Sequence, residues 1–215
     1  MKGLFITFEG TEGSGKTTQI QLLLERLRSL PRPVRLLREP GGTPIGEEIR
    51  HTLQHSVQNQ AMTPEAELLL INASRAQLVR EVIRPALLRG EVVVCDRFYD
   101  STIAYQGYGR GLPLPAVQAV IDFAVGPTIP DLTLLLFVPV AVSEARRMAR
   151  QQTNPPLRDR MEENDAPFFG RVEEGYRALA RAHPNRVRWI DAAQEVSAVA
   201  AAVWRAVAEL LQKCG

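Results

Sequence analysis

Cysteine is scarce in this chain of 215 residues. Its two cysteines, Cys95 and Cys214, lie far apart and show no metal-ligand spacing. That excludes a disulfide-stapled scaffold and leaves free thiols in a reducing cytoplasm as the simplest reading. Long apolar runs are missing too, and none approaches the length needed to cross a bilayer. The first residues lack the charged and apolar regions of a signal peptide. Charge of either sign is not in excess: the net charge is +2, so no global field draws the chain to nucleic acid or an anionic membrane. Internal repeats and low-complexity linkers are absent. Together these absences predict one soluble, cytoplasmic domain over residues 1–215, with no nucleic-acid and no membrane partner.

Short apolar runs alternate with longer helical patterns. Leu4–Phe8, Val34–Leu37, Val92–Cys95, Leu132–Val138 and Val187–Ile190 read as strands, several continuously apolar, as in strands covered on both faces. Thr17–Leu30, Ile45–Leu53, Pro64–Arg89, Leu114–Val125, Val142–Gln151 and Pro167–Ala182 read as helices. In the last helix Val196, Val199, Val203, Val207 and Leu210 mark one face. Thr63–Pro64–Glu65 is a helix start, a capping hydroxyl followed by proline at the first helical position. Strands alternating with helices predict a doubly wound α/β sheet. The densest positive stretch, Arg146 to Arg171, contains the most flexible composition, Gln152–Pro156, and predicts a mobile insert.

The strand Leu4–Phe8 runs into "GTEGSGKT", Gly10 to Thr17, which fits G-x-x-x-x-G-K-[ST]. Gly10, Gly13 and Gly15 let the backbone of Thr11, Glu12, Ser14 and their neighbours aim successive N–H groups inward as a nest for phosphate oxygens. The helix that opens at Lys16, Thr17 and Thr18 adds the positive end of its dipole. Lys16 is placed to reach the β and γ phosphates of a nucleoside triphosphate, and the Thr17 hydroxyl to ligate magnesium. A second apolar strand, in "EVVVCDRF", ends in Asp96, an acidic residue suited to reach that magnesium through water.

A phosphate loop serves GTPase switches, motor ATPases and small-molecule kinases alike. The chain has neither N-K-x-D, the guanine-reading motif, nor D-x-x-G, which argues against a switch. A kinase needs an acceptor pocket and cations around the transferring group. Arg38 follows the second strand, Arg97 follows Asp96, and Arg75 sits in the long helix. In a wound sheet the C-terminal strand ends converge on one crevice, where Arg38 and Arg97 could clamp an acceptor monophosphate. Singly, each is an ordinary surface arginine.

The segments "FEGTEGSGKTT", "REPGGTPIGEEIR", "ASRAQLV", "DRFYDSTIAYQGYGRG", "PDLTLLLFV" and "RDRME" occur in this order, with "RWIDAAQEV" near the end. The chain thereby resembles the thymidylate kinase family of the bacterial type. The resemblance implies transfer of the ATP γ-phosphoryl to dTMP with Mg2+, a five-stranded parallel sheet of P-loop type, a helical lid at about 147–163 and a homodimer. It implies that Arg38, Arg50 and Arg97 hold the acceptor phosphate, with Ser101 and Pro40 lining the same pocket. It further implies that Arg75 and Gln106 hydrogen-bond thymine beside Thr102, and that Tyr105 packs against the deoxyribose. Glu12 matches a carboxylate near the acceptor sugar and the magnesium, and Glu39–Pro40 a position where the family often has a cis peptide.

Family members carry the catalytic arginine either in the phosphate loop or in the lid. Thr11, Glu12, Gly13 and Ser14 include no basic residue, so the lid type is implied, with Arg160 as first choice and Arg150 and Arg158 as helpers. One position departs from the family: Ile71, four residues before Arg75, stands where a phenylalanine usually stacks on the base. That departure keeps open a kinase for another pyrimidine deoxynucleotide. A P-loop nucleotide-binding regulator is the other alternative, weakened by the second phosphate clamp.

Overall fold

The computed structural model describes residues 2–153, 160 and 164–214, without the side chains of 147, 150–153 and 214. Five strands form one parallel sheet: β1 (Leu4–Glu9), β2 (Val34–Arg38), β3 (Val92–Asp96), β4 (Leu132–Phe137) and β5 (Val187–Asp191), in the order β2-β3-β1-β4-β5. Every residue of β1 is buried, the reason its sequence before Glu9 is apolar but for Thr7, whose hydroxyl pairs with that of Thr133 on β4 at 2.8 Å. Leu4, Ile6 and Phe8 pack with α1 (Lys16–Leu27) and α9 (Val196–Cys214) on one face. Phe5, Val93 and Cys95 pack on the other face with α3 (Pro64–Leu78) and α6 (Leu114–Val125). Each large side chain so buried contributes about 1.5–3 kcal/mol.

Strand ends run one residue beyond most of the apolar runs. Glu9, Arg38, Asp96 and Asp191 close their strands, so the ladder carries charged side chains to its C-terminal edge. Register puts Phe8, Asp96 and Arg38 level with one another. Proline-led starts hold: in α2 (Pro44–Gln54) the Gly46 N–H donates to Thr43 Oγ1 at 3.0 Å, and in α3 the Ala66 N–H donates to Thr63 Oγ1 at 3.3 Å.

Three helical expectations are corrected. The first helix stops at Leu27, three residues short. The long helix from Pro64 widens to π geometry over Val79–Ile83 before a short α4 (Arg84–Leu88), where Pro85 has no N–H to give. After β3, residues that the sequence pattern assigns to no element form α5 (Tyr99–Thr102), which widens over Ile103–Gly109. The remaining helices are α7 (Val140–Thr153) and α8 (Ala166–Ala182). Among the described residues no helix is long and apolar enough to cross a membrane.

Candidate active site

A cavity of about 620 Å³ opens over the C-terminal ends of β1, β2 and β3, where a wound sheet binds its ligands. One wall is the glycine turn. Gly10 takes φ +137°, and a Cβ there would stand 2.3 Å from the Leu136 carbonyl oxygen of β4. Gly15 caps α1 in a left-handed conformation with no side-chain cap. The first N–H groups of α1 are therefore left for an anion. Lys16 is 7% exposed and donates to the carbonyls of Gly10 (3.1 Å) and Thr11 (3.0 Å). Burial, with Arg97 nearby, pushes its ammonium down to about 8 against the opposing pull of Asp96, Glu12 and Glu9.

Opposite stand the arginines. Arg97 adopts φ +69°, a left-handed conformation costly for a residue with a side chain and concentrated at functional positions. Its backbone N–H donates to Phe8 at 2.9 Å, and its guanidinium donates to Ser101 Oγ at 3.0 Å and to the hydroxyls of Tyr176 (3.3 Å) and Tyr105 (3.4 Å). Arg38 is half-exposed and paired with Glu47 at 2.8 Å, while Arg50 donates to the Pro40 carbonyl at 3.0 Å. The Glu39–Pro40 peptide is cis.

Arg75 is 1% exposed. Its Nε and Nη2 both reach Glu39 Oε2 (2.8 and 2.7 Å), and Nη1 donates to Asn72 Oδ1 and Thr102 Oγ1, each at 2.9 Å. A guanidinium has five N–H groups, so Nη2 keeps one for a ligand. Gln106 Nε2 donates to Glu67 Oε1 at 2.8 Å. Ile71 also lines the cavity and belongs to neither apolar core of the sheet.

The cavity thus gathers Glu12, Gly13, Gly15, Lys16, Thr17 and Thr18 of the loop with Arg38, Pro40, Arg50, Ile71, Arg75, Asp96, Arg97, Ser101, Thr102, Tyr105 and Gln106. Thr11 and Ser14 are buried behind it, each with a hydroxyl oxygen lacking a partner. Asp96 Oδ1 is likewise buried and unpartnered. With the exposed Thr17 lining the same cavity, it suits a hard cation that keeps most of its own waters and needs few protein oxygens.

Arg160 is the exception. It is not among the cavity residues; its Nη1 pairs with Glu67 and its Nη2 donates to the Met62 carbonyl at 3.0 Å. The physical reason is Glu67, a carboxylate with no exposure that draws cations to itself. The side chain of Arg150 and the whole of Arg158 lie outside the described residues. So does most of the expected lid.

Three carboxylates went unread in the sequence. Glu9 accepts the Phe98 N–H at 2.8 Å, the Tyr176 hydroxyl at 3.0 Å and the Ser101 hydroxyl. Burial, reinforced by Asp100 and opposed by Arg97, pushes its carboxyl up to about 7. Glu39 holds Arg75, and Glu67 holds Gln106, Arg110 and Arg160. For Glu9 alone the sequence carries a signal, a charged residue at the end of a strand that is otherwise free of charge.

Comparison with known proteins gives one answer. A family model described as thymidylate kinase matches residues 8–203. The chain is 48% identical over 213 residues to the thymidylate kinase of Pseudomonas fluorescens strain Pf-5, covering 99% of each. It is 46% identical over 214 residues to that of Geobacter sp. strain M21, covering 99% of this chain and 95% of that one. The crystal structure of thymidylate kinase from Ehrlichia chaffeensis superposes with a TM-score of 0.76 at 33% identity, covering 96% of this chain and 99% of the other.

Proposed function

Because the chain belongs to the thymidylate kinase family and is an ATP-dependent dTMP kinase of dTTP synthesis, we propose that its cavity seats ATP on Gly10–Thr18 and dTMP between Arg97 and Arg75. The observation that carries this division is the single cavity in which Lys16 and the acceptor-side arginines meet. The loop N–H groups and Lys16 hold the donor phosphates. Arg97, with Arg38 and Arg50, holds the acceptor phosphate, and an arginine's planar fork suits a phosphate with two oxygens to offer. Held in line, the acceptor oxygen needs no strong base, since it is already an anion. Positioning and charge screening then carry the transfer.

On the acceptor side, the remaining Nη2 hydrogen of Arg75 faces a base carbonyl, Gln106 takes the ring N–H, and Ile71 covers one face. Tyr105, 6% exposed against Phe168 and Tyr176, fills the space beside the sugar's second carbon. Thr17 and Asp96 hold Mg2+, which when bound screens the charge on the phosphate oxygens. Glu12 stands between the two subsites. Arg150 and Arg158 supply the lid's cations to the transfer, while Arg160 tethers the segment to Glu67. Two copies associate, a reading supported by Phe123 and Ile129, which are 83% and 60% exposed. A free, buried Cys95 thiol supports a cytoplasmic setting.

The test is coupled ADP release with a panel of deoxynucleoside monophosphates, run beside Lys16→Ala. dTMP should be preferred, and Lys16→Ala should lower turnover by about 10²-fold or more while melting near the wild-type temperature, as expected when a preorganised charge is lost. Near-normal turnover in folded Lys16→Ala would remove the phosphate-loop assignment.

A further inference from the structure

The acceptor pocket is finished by an amide, and an amide has two ends of similar shape and opposite hydrogen-bonding sense. Which end of Gln106 meets the base decides whether the pocket offers a donor or an acceptor. Glu67 settles that choice. It lies on α3, has no exposure, and its Oε1 accepts Gln106 Nε2 at 2.8 Å. An ionised carboxylate can only accept, so the amide nitrogen must turn toward Glu67 and the carbonyl oxygen away from it.

Glu67 is itself kept ionised and fixed. Arg110 donates to both of its oxygens (Nε 3.1 Å, Nη2 3.0 Å), and Arg160 pairs with Oε2. Arg110 is in turn held by Asn164 at 2.7 Å and lies over the Phe168 ring. Burial would raise the Glu67 carboxyl, but the bonds from Arg110, Gln106 and Arg160 hold it below its ordinary value. Carboxylate and arginines thus form a rigid support behind Gln106, away from the reacting phosphates.

We propose that Glu67 is a positioning residue for base selection: by fixing the amide of Gln106 it presents a carbonyl acceptor to the pocket. The pocket then favours a pyrimidine whose ring edge carries an N–H, as in thymine or uracil, over one whose ring nitrogen is itself an acceptor, as in cytosine. The inference rests on Gln106 reading the base. A wrongly matched base leaves two acceptors facing each other in a desolvated site, where unpaired polar groups are costly.

The experiment compares kcat/KM for dTMP, dUMP and dCMP in wild type, Glu67→Gln and Gln106→Leu. A glutamine at 67 can donate as well as accept, so both orientations of the Gln106 amide are then satisfied. Glu67→Gln should shrink the dTMP:dCMP preference by about tenfold or more, mainly through KM, and leave dTMP:dUMP unchanged, since both of those bases carry the N–H. A loss shared equally by dTMP and dCMP, or an unchanged preference, overturns the proposal. Gln106→Leu separates the premise: if it leaves the dTMP:dCMP preference intact, Gln106 does not read the base. If it collapses the preference while Glu67→Gln does not, only the role of Glu67 fails. Should Glu67→Gln not fold, NMR of the wild-type Gln106 side-chain amide decides. Slow hydrogen exchange in the free enzyme and little shift of the amide protons on adding dTMP support the proposal. Fast exchange, or a large shift of those protons, overturns it.

Discussion

The carboxylate of Glu9 accepts the backbone N–H of Phe98 at 2.8 Å, tying the last residue of β1 to the turn that carries Arg97. With Ser101 and Tyr176 on the same carboxylate, Glu9 orders the turn whose left-handed residue carries Arg97 to the cavity. The group that joins β1 to this turn is therefore a buried acid, and its ionisation is coupled to the fold.

This coupling predicts a pH dependence. The Glu9 carboxyl is pushed from an ordinary 4.5 up to about 7 by burial, so the folded state binds the proton more tightly than the unfolded state. Its contribution to stability is complete below about 4.5 and is lost as pH rises through about 7. The gap corresponds to an order of magnitude of roughly 3 kcal/mol. Urea unfolding of wild type and Glu9→Gln at pH 5 and pH 7.5 should show wild type losing stability relative to the variant over that interval. Parallel changes in the two proteins would show that Glu9 does not titrate there.

Arg160 gives a second prediction, because its place in the fold separates two roles. As a tether on Glu67 and the Met62 carbonyl, its loss should cost stability by about 1.5–3 kcal/mol, the range for hydrogen bonds to charged groups. Turnover of Arg160→Ala at saturating dTMP should fall less than about tenfold. A principal transfer arginine would instead cost about 10²–10⁴-fold in kcat, with stability unchanged. Measuring kcat together with the thermal midpoint tells the two apart, and a large kcat loss in a fully stable variant would return Arg160 to the reacting phosphates.

What could be read in the sequence, and what could not, follows from how far each signal reaches. The phosphate loop, the Thr63 cap and the apolar strands depend on residues within a few positions of one another, and all are legible. The stretch Tyr99–Gly109 carries no helix signal, because Ile103, Tyr105 and Tyr108 show no helical stripe and Gly107 and Gly109 weaken the pattern. Burial against α8 decides it instead: Phe168 and Val172 close on Gly109, and Tyr108 on Gly175. Glu39 and Glu67 look like solvated residues in a string of letters. Their partners stand 36 and 39 positions away, at Arg75 and Gln106, and only the folded chain brings them together. Arg160 is the same case: its partners Glu67 and Met62 stand more than 90 positions away, so the sequence pattern does not show what it contacts.

Ile71 remains the sharpest departure from the family pattern. It lines the acceptor cavity on α3, four residues before Arg75, and takes no part in the two apolar cores that flank the sheet. An aliphatic side chain covers one face of a base by dispersion and burial but offers no planar π surface. The difference from a stacked aromatic is about 0.5–1.5 kcal/mol, or roughly 2–12-fold in affinity. Each charge-assisted bond at the acceptor phosphate is worth about 1.5–3 kcal/mol, so the phosphate and base-edge contacts outweigh the missing stack and dTMP stays the substrate. Ile71→Phe should therefore lower the dTMP dissociation constant by up to about tenfold, with little change in kcat. Because the side chain faces the cavity instead of the core, the thermal midpoint should hold. Overpacking in a core would cost about 1–3 kcal/mol. Isothermal titration with dTMP and a thermal melt of the same variant check both parts. A large loss of stability without tighter binding would show that position 71 packs against protein and that another side chain covers the base.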